Sequence, residues 1–195
     1  NCYATGDVSA TAHYYAYAGG LIGDSYDSII TNCYAIGDVS APSTSSVFAG
    51  GLIGYANDST TITNCYATGD VSASSSGSYS AYAGGLIGCA YNSSSSAKNI
   101  SITNSTNSGD ISASSYAGGL VGYHAGSISD CYAIGVLTTS NSGYHSIYAG
   151  GLVGRNMYGT ITNCSAAVTV TVSNSSSYST YAGGLVGDNW LGTMS

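Results

Sequence analysis

The chain has 195 residues, a formal net charge of −7 and only 6% charged residues, with Lys98 and Arg155 as its two basic side chains. That composition excludes nucleic acid as a partner, because neutralising phosphates requires Lys and Arg, and it speaks against anionic membrane surfaces for the same reason. At 44% hydrophobic, with Leu, Ile, Val and Tyr recurring at fixed places, the sequence is expected to be ordered despite its 28 glycines. No run is long and apolar enough to predict a membrane-crossing helix.

In chain order, the first phrase is "NCYATGDVSA" from Asn1. It returns as "NCYAIGDVSA" from Asn32 and "NCYATGDVSA" from Asn64. It then decays to "NSTNSGDISA" from Asn104, "DCYAIGVLTT" from Asp130 and "NCSAAVTVTV" from Asn163. The second phrase is "AGGLIG" or "AGGLVG", whose first glycine falls at Gly19, Gly50, Gly84, Gly118, Gly150 and Gly183, 31 to 34 residues apart. The third is a short β-prone run: "IIT" at 29–31, "TIT" at 61–63, "SIT" at 101–103, "SIS" at 127–129 and "TIT" at 160–162.

Length varies at two seams only. One lies between "DVSA" and "YAGG". The other follows "GLIG" and carries the insert "CAYNSSSSAK". Loops absorb insertions and strands do not. Each unit therefore has three β-candidates: the "TIT-N-C-Y" run, the "DVSA" run and the "YAGGLIG" run. Helix is disfavoured, since glycine costs a helix ~1 kcal/mol each and nothing recurs at 3.6 residues. A propeller blade is longer and has four strands. The expected fold is all-β: a parallel β-helix or β-solenoid of about six coils, each of roughly 33 residues with three short strands. The units are 1–31, 32–63, 64–103, 104–129, 130–162 and 163–195, one repeat domain.

Stacking turns repeat positions into columns. Ile30, Ile62, Ile102, Ile128 and Ile161 predict an inward column. Leu21, Leu52, Leu86, Leu120, Leu152 and Leu185 form another, each followed by Ile or Val. Adjacent strand residues face opposite ways, so both neighbours turn inward only if the glycines bend the strand. Asn1, Asn32, Asn64, Asn104 and Asn163 predict a bonded corner ladder interrupted at Asp130. Cys2, Cys33, Cys65, Cys131 and Cys164 share one position, with Ser105 in the gap. They are read as buried thiols, with disulfides between neighbouring coils as the alternative. Cys89 falls in a seam and is expected to be exposed. Asp7, Asp38, Asp70 and Asp110 follow a turn glycine and are expected to bond their own backbone, in preference to holding a cation.

Two surfaces are candidate binding faces. Tyr17, Phe48, Tyr82, Tyr116, Tyr148 and Tyr181 form an aromatic column, and Tyr3, Tyr34, Tyr66 and Tyr132 a shorter one. Both are structural ladders first, with a glycan or host protein as the possible ligand. Thr31, Thr63, Thr103 and Thr162, with Ser129, flank the inward Ile on one side. Thr61, Ser101, Ser127 and Thr160 flank it on the other. A ranked hydroxyl array of this kind is what an ice-binding face requires. No metal or other cofactor is expected, since there is no CxxC. His13, His124 and His145 fall in unrelated loop positions. No Ser-His-Asp set recurs, and there is neither a G-x-S-x-G nor a P-loop. Two basic residues in different units do not make a polysaccharide-lyase site. The chain is expected not to be an enzyme.

The phrase "AGGL(I/V)G", six times over, resembles the GLUG motif of tandem repeats in bacterial and archaeal surface proteins. That family includes adhesin-like proteins and IgA-specific metallopeptidases. The resemblance implies an extracellular, cell-surface repeat region. It implies no reaction, because the family's peptidase chemistry lies in another domain and no HExxH occurs here. The expected role is a structural or adhesive segment. Its expected partners are flanking domains of the same polypeptide, or other copies of itself. The chain opens in mid-phrase and its last residues, "GTMS", align with "GTIT" at 159–162. The next phrase in register is the one found at Asn1, which points to a cut from a longer array or to end-to-end stacking into a filament.

Overall fold

The computed structural model describes residues 1–91, 100–141, 143 and 145–195. Lys98 and most of the "CAYNSSSSAK" insert lie outside the described residues. The described residues form strands, turns and bends and contain no helix. The fold is a parallel β-solenoid of about six coils, each strand pairing with its equivalents one coil away.

The third coil serves as the pattern. Its segments are Tyr66–Ala67, Val71–Ser75, Ala81–Gly84, Ile87–Tyr91 and Ile100–Thr103. All three expected β runs are present, and two of them are bent. The "TIT-N-C-Y" run turns at Asn64, and the "YAGGLIG" run turns at its glycine pair. The segments stack into one ten-stranded and three six-stranded sheets. Equivalent residues pair throughout, as in Ile62 with Ile30 and Ile102.

The glycine pair makes the sharper bend. A Cβ on Gly50 would lie 1.9 Å from the Ile53 carbonyl oxygen, and one on Gly51 would lie 2.1 Å from that of Gly85. Only glycine permits that approach. The bend appears directly in the hydrogen bonds: the N–H groups of Leu52 and Ile53 both donate to the Leu86 oxygen, at 2.9 and 3.0 Å. In a straight strand consecutive N–H groups point apart. Here they converge, and the consecutive side chains Leu52 and Ile53 are both fully buried. The Leu and Ile/Val columns are thus inward together. Each such side chain contributes ~1.5–3 kcal/mol by leaving water.

Gly51 also approaches Ala67 across the interior, so that an added Cβ would stand 2.7 Å from the Ala67 Cβ. The coil is pinched there, and the core divides into two clusters. One packs the Leu-Ile corner against the inward Ile column, the Cys column and Ala35, Ala67 and Ala133. The other packs Val39, Val71, Ile111 and Leu137 against Val47, Ala81 and Ile147.

Candidate functional site: an aromatic cleft beside the glycine bend

The corner at the start of each coil is built by side-chain ladders. Asn32, Asn64, Asn104, Asp130 and Asn163 all have φ between 47° and 55°, the left-handed region that Asn and Asp tolerate best. Asn64 Nδ2 donates to Asn32 Oδ1 at 3.1 Å, and Asn104 Nδ2 to Asn64 Oδ1 at 2.7 Å. Asn163 Nδ2 donates to Asp130 Oδ1 at 2.6 Å. A carboxylate has no donor to pass on, so the chain of amides is interrupted between Asn104 and Asp130.

The cysteines do similar work. All six are free thiols. Cys33, Cys65, Cys131 and Cys164 each direct Sγ to the carbonyl two residues earlier, at 3.0–3.3 Å. Ser105 Oγ does the same at 2.9 Å, which explains why Ser fits this column. The N–H of Cys131 in turn donates to Cys164 Sγ at 3.4 Å, and that of Cys65 to Ser105 Oγ at 3.1 Å. A hydrogen bond to Cys164, with burial, holds the Cys131 thiol well above the usual range.

The aspartates differ from expectation. Asp7, Asp38 and Asp70 accept the backbone N–H of the equivalent Asp one coil on, at 2.9–3.0 Å, and Asp110 accepts that of Val136 at 2.8 Å. They bond the next coil's backbone, not their own, because in-register stacking brings that N–H within reach.

The hydroxyl ranks lie on one six-stranded sheet, with Thr31, Thr63, Thr103 and Thr162 half-buried and in register. Their hydroxyls meet along the column: Thr103 and Ser129 at 3.2 Å, and Thr193 with Thr160 at 3.1 Å.

The long aromatic column stacks continuously. Centroids from Tyr17 through Phe48, Tyr82, Tyr116 and Tyr148 to Tyr181 are 4.5–5.1 Å apart, with planes within 17°. In the shorter column Tyr3, Tyr34 and Tyr66 stack at 4.8–5.1 Å, and Thr106 separates them from Tyr132. Within these ladders ring faces cover one another. What the long column offers a ligand is ring edges and hydroxyls.

A second column stands across the glycine bend, in register: Asp24, Tyr55, Cys89, Tyr123, Arg155 and Asp188. The bend that pinches the interior folds these outward side chains toward the ladder. Tyr55 meets Phe48 edge-on at 5.2 Å, and Tyr123 meets Tyr116 at 5.9 Å. Between the large rings of Tyr55 and Tyr123, coil three places only Cys89. The result is an open cleft of about 390 Å³ lined by Phe48, Tyr55, Tyr82, Tyr91, Tyr123, Arg155 and others, with Cys89 among them. Cys89 was expected in an exposed loop. It is instead 4% exposed in the strand Ile87–Tyr91, because the strand runs on through Tyr91, past the point where the insert starts in the sequence. Burial pushes its thiol far up. Burial likewise raises Tyr55, Tyr82 and Tyr123, with the nearby Cys89 adding to each, so the phenols stay protonated donors. Arg155 closes one end of the cleft. Its guanidinium lies 4.9 Å from the Tyr148 centroid, and its Nε pairs with Asp188 at 2.9 Å.

His124, read as a loop residue, is fully buried at the end of the strand Val121–His124. Its alternation with the exposed-side Tyr123 is the signal that would have placed it inward. His13 and His145 lie outside strands. Among the described residues, no group of three or more His, Cys, Asp or Glu is placed to hold a metal ion.

No curated protein and no solved structure matches the chain. The family model of the GLUG motif matches residues 14–40, 49–72, 79–112, 113–139 and 145–171, well over half of the chain. Each matched stretch carries one glycine bend, and the sixth bend, at Gly183, lies beyond the last of them. The repeating glycine bend is what these matched stretches share, and the chain belongs to the GLUG-motif family.

Proposed function

We propose that this chain is a non-enzymatic structural and adhesive repeat segment of an extracellular, cell-surface protein, joined to flanking domains of the same polypeptide. One observation carries the reading. The side chains most suited to chemistry, the Asp, Cys and Asn columns, are engaged in hydrogen bonds within and between coils. Such ladders make a stiff spacer whose variable parts are its surface columns and seams. The surface location draws on the family resemblance and on the scarcity of basic residues. Antibody labelling of native cells tests it. Intact cells are expected to stain; staining only after permeabilisation overturns the surface reading.

A second reading is end-to-end stacking into a filament. It draws on the in-register pairing of equivalent strands from coil to coil, as in Ile62 with Ile30 and Ile102, which a second copy of the chain would continue. Sedimentation over a wide concentration range is expected to show concentration-dependent growth. A strictly monomeric species overturns it.

A further inference from the structure

The cleft at Cys89 has a property that the stacked ladder lacks. Beside it, Tyr26, Asn57 and Tyr91 form an in-register column on the strands Ile22–Tyr26, Ile53–Asn57 and Ile87–Tyr91. Tyr26 is 63% exposed and Tyr91 is 40% exposed. With Asn57 between them, they stand two coils apart, ~9.6 Å at the usual strand spacing. That distance is close to the length of one disaccharide in an extended β-linked hexose chain. Along such a chain every second sugar presents the same face.

The electrostatics select within the glycans. The protein carries −7 overall, which repels acidic polymers. Arg155, the cation in the cleft, is already paired with Asp188 and lies over Tyr148. What remains is apolar ring surface, protonated phenol hydroxyls and the Asn57 amide. These suit the mixed C–H and O–H surface of a neutral sugar, and an aromatic-walled cleft with a few polar groups is the usual form of a small-ligand site.

We propose that a neutral, β-linked hexose chain lies along the solenoid axis here, with alternate sugars over Tyr26 and Tyr91, the sugar between them beside Asn57, and the sugar over Tyr91 reaching into the notch above Cys89. This deepens the adhesive reading by naming its ligand class. The two fail separately: a chain that stains intact cells but binds no glycan loses this proposal alone.

Calorimetric titration of the whole chain with a soluble β-linked glucose hexamer tests it, with a galacturonate hexamer as the anionic comparison. The glucose hexamer is expected to bind and the galacturonate hexamer not. Tyr91→Ala, which removes a 40% exposed ring that meets Tyr123 edge-on, is expected to weaken binding about tenfold while the chain stays folded, as cooperative denaturation checks. Cys89→Phe, which fills the notch, is expected to abolish binding. The proposal is overturned by absence of glucose-hexamer binding at millimolar concentration, by tighter binding of galacturonate, or by native affinity in Tyr91→Ala.

Discussion

The first four coils and the last two follow the same path by different means. In the third coil the segments Tyr66–Ala67 and Val71–Ser75 are separated by a Gly-Asp corner. In the fifth and sixth coils the same stretch is one ten-residue strand, Tyr132–Asn141 and Ser165–Asn174. The sequence change is small: Gly109-Asp110 becomes Gly135-Val136, then Val168-Thr169. Register survives, with Thr106 opposite Tyr132 and Ile111 opposite Leu137. The corner therefore sets direction and not length. Gly135, at φ 135° and close over the Gly109 oxygen, absorbs the mismatch where the two forms meet.

The two regions also differ inside. The in-register interior position held by Ala56 and Ala90 becomes His124, Asn156 and Asn189. The Nδ2 groups of Asn156 and Asn189 donate to the Gly159 and Gly192 carbonyls, at 3.0 and 2.9 Å. The Asn ladder breaks at the same boundary, between Asn104 and Asp130. The second and third coils thus repeat one apolar solution, and from the fourth coil onward polar side chains take the same interior position.

The largest expected effect tests what both regions share. Gly51→Ala and Gly151→Ala each place a Cβ 2.1 Å from a carbonyl of the next coil. Each is expected to cost more than ~3 kcal/mol in denaturant unfolding. Gly184→Ala, with nothing within 4 Å, is expected to cost under ~1 kcal/mol. Equal costs at all three positions would mean that the bend does not depend on the neighbouring coil.

The next effect belongs to the fourth coil, where the interior column first turns polar. Burial, partly opposed by the Gly126 backbone, pulls the His124 pKa down from 6.5 to about 4. The unfolded chain therefore binds the proton first as pH falls. The stability held by the neutral imidazole is complete above pH 6.5. It declines as pH drops and is gone below about 4, a loss of ~3 kcal/mol at most. Unfolding measured across that range is expected to show the slope in the native chain and to lose it in His124→Asn.

The smallest effect joins the two regions. Asp130→Asn supplies the missing donor toward Asn104 and is expected to stabilise by ~0.5–1 kcal/mol. A thermal midpoint unchanged or lowered would show that the break in the ladder has no energetic consequence.

Much of this was legible before any coordinates. The Asn column announced its corner, because few other residues tolerate a left-handed backbone and also bond to their own kind. The Ile column was readable from the flanking Thr and Ser. The cleft was not legible. Cys89 looked like the first residue of a loop, since the insertion after it disguised where the strand ends. His124 looked unplaced because its column changes residue type from coil to coil. The aspartates were assigned to their own turns, because in sequence the nearest N–H is local while in space it belongs to the next coil.

By itself, the sequence determined the architecture: a period near 33, glycines at one phase and aliphatic residues at another leave a stacked parallel coil as the economical solution. Tertiary structure alone decided how the glycine pair is used. Two consecutive N–H groups converging on one carbonyl turn both Leu and Ile inward, pinch the core in two and fold the outer strands toward each other. That one bend makes the cleft, because a backbone that bows into the interior must open a groove on the outside.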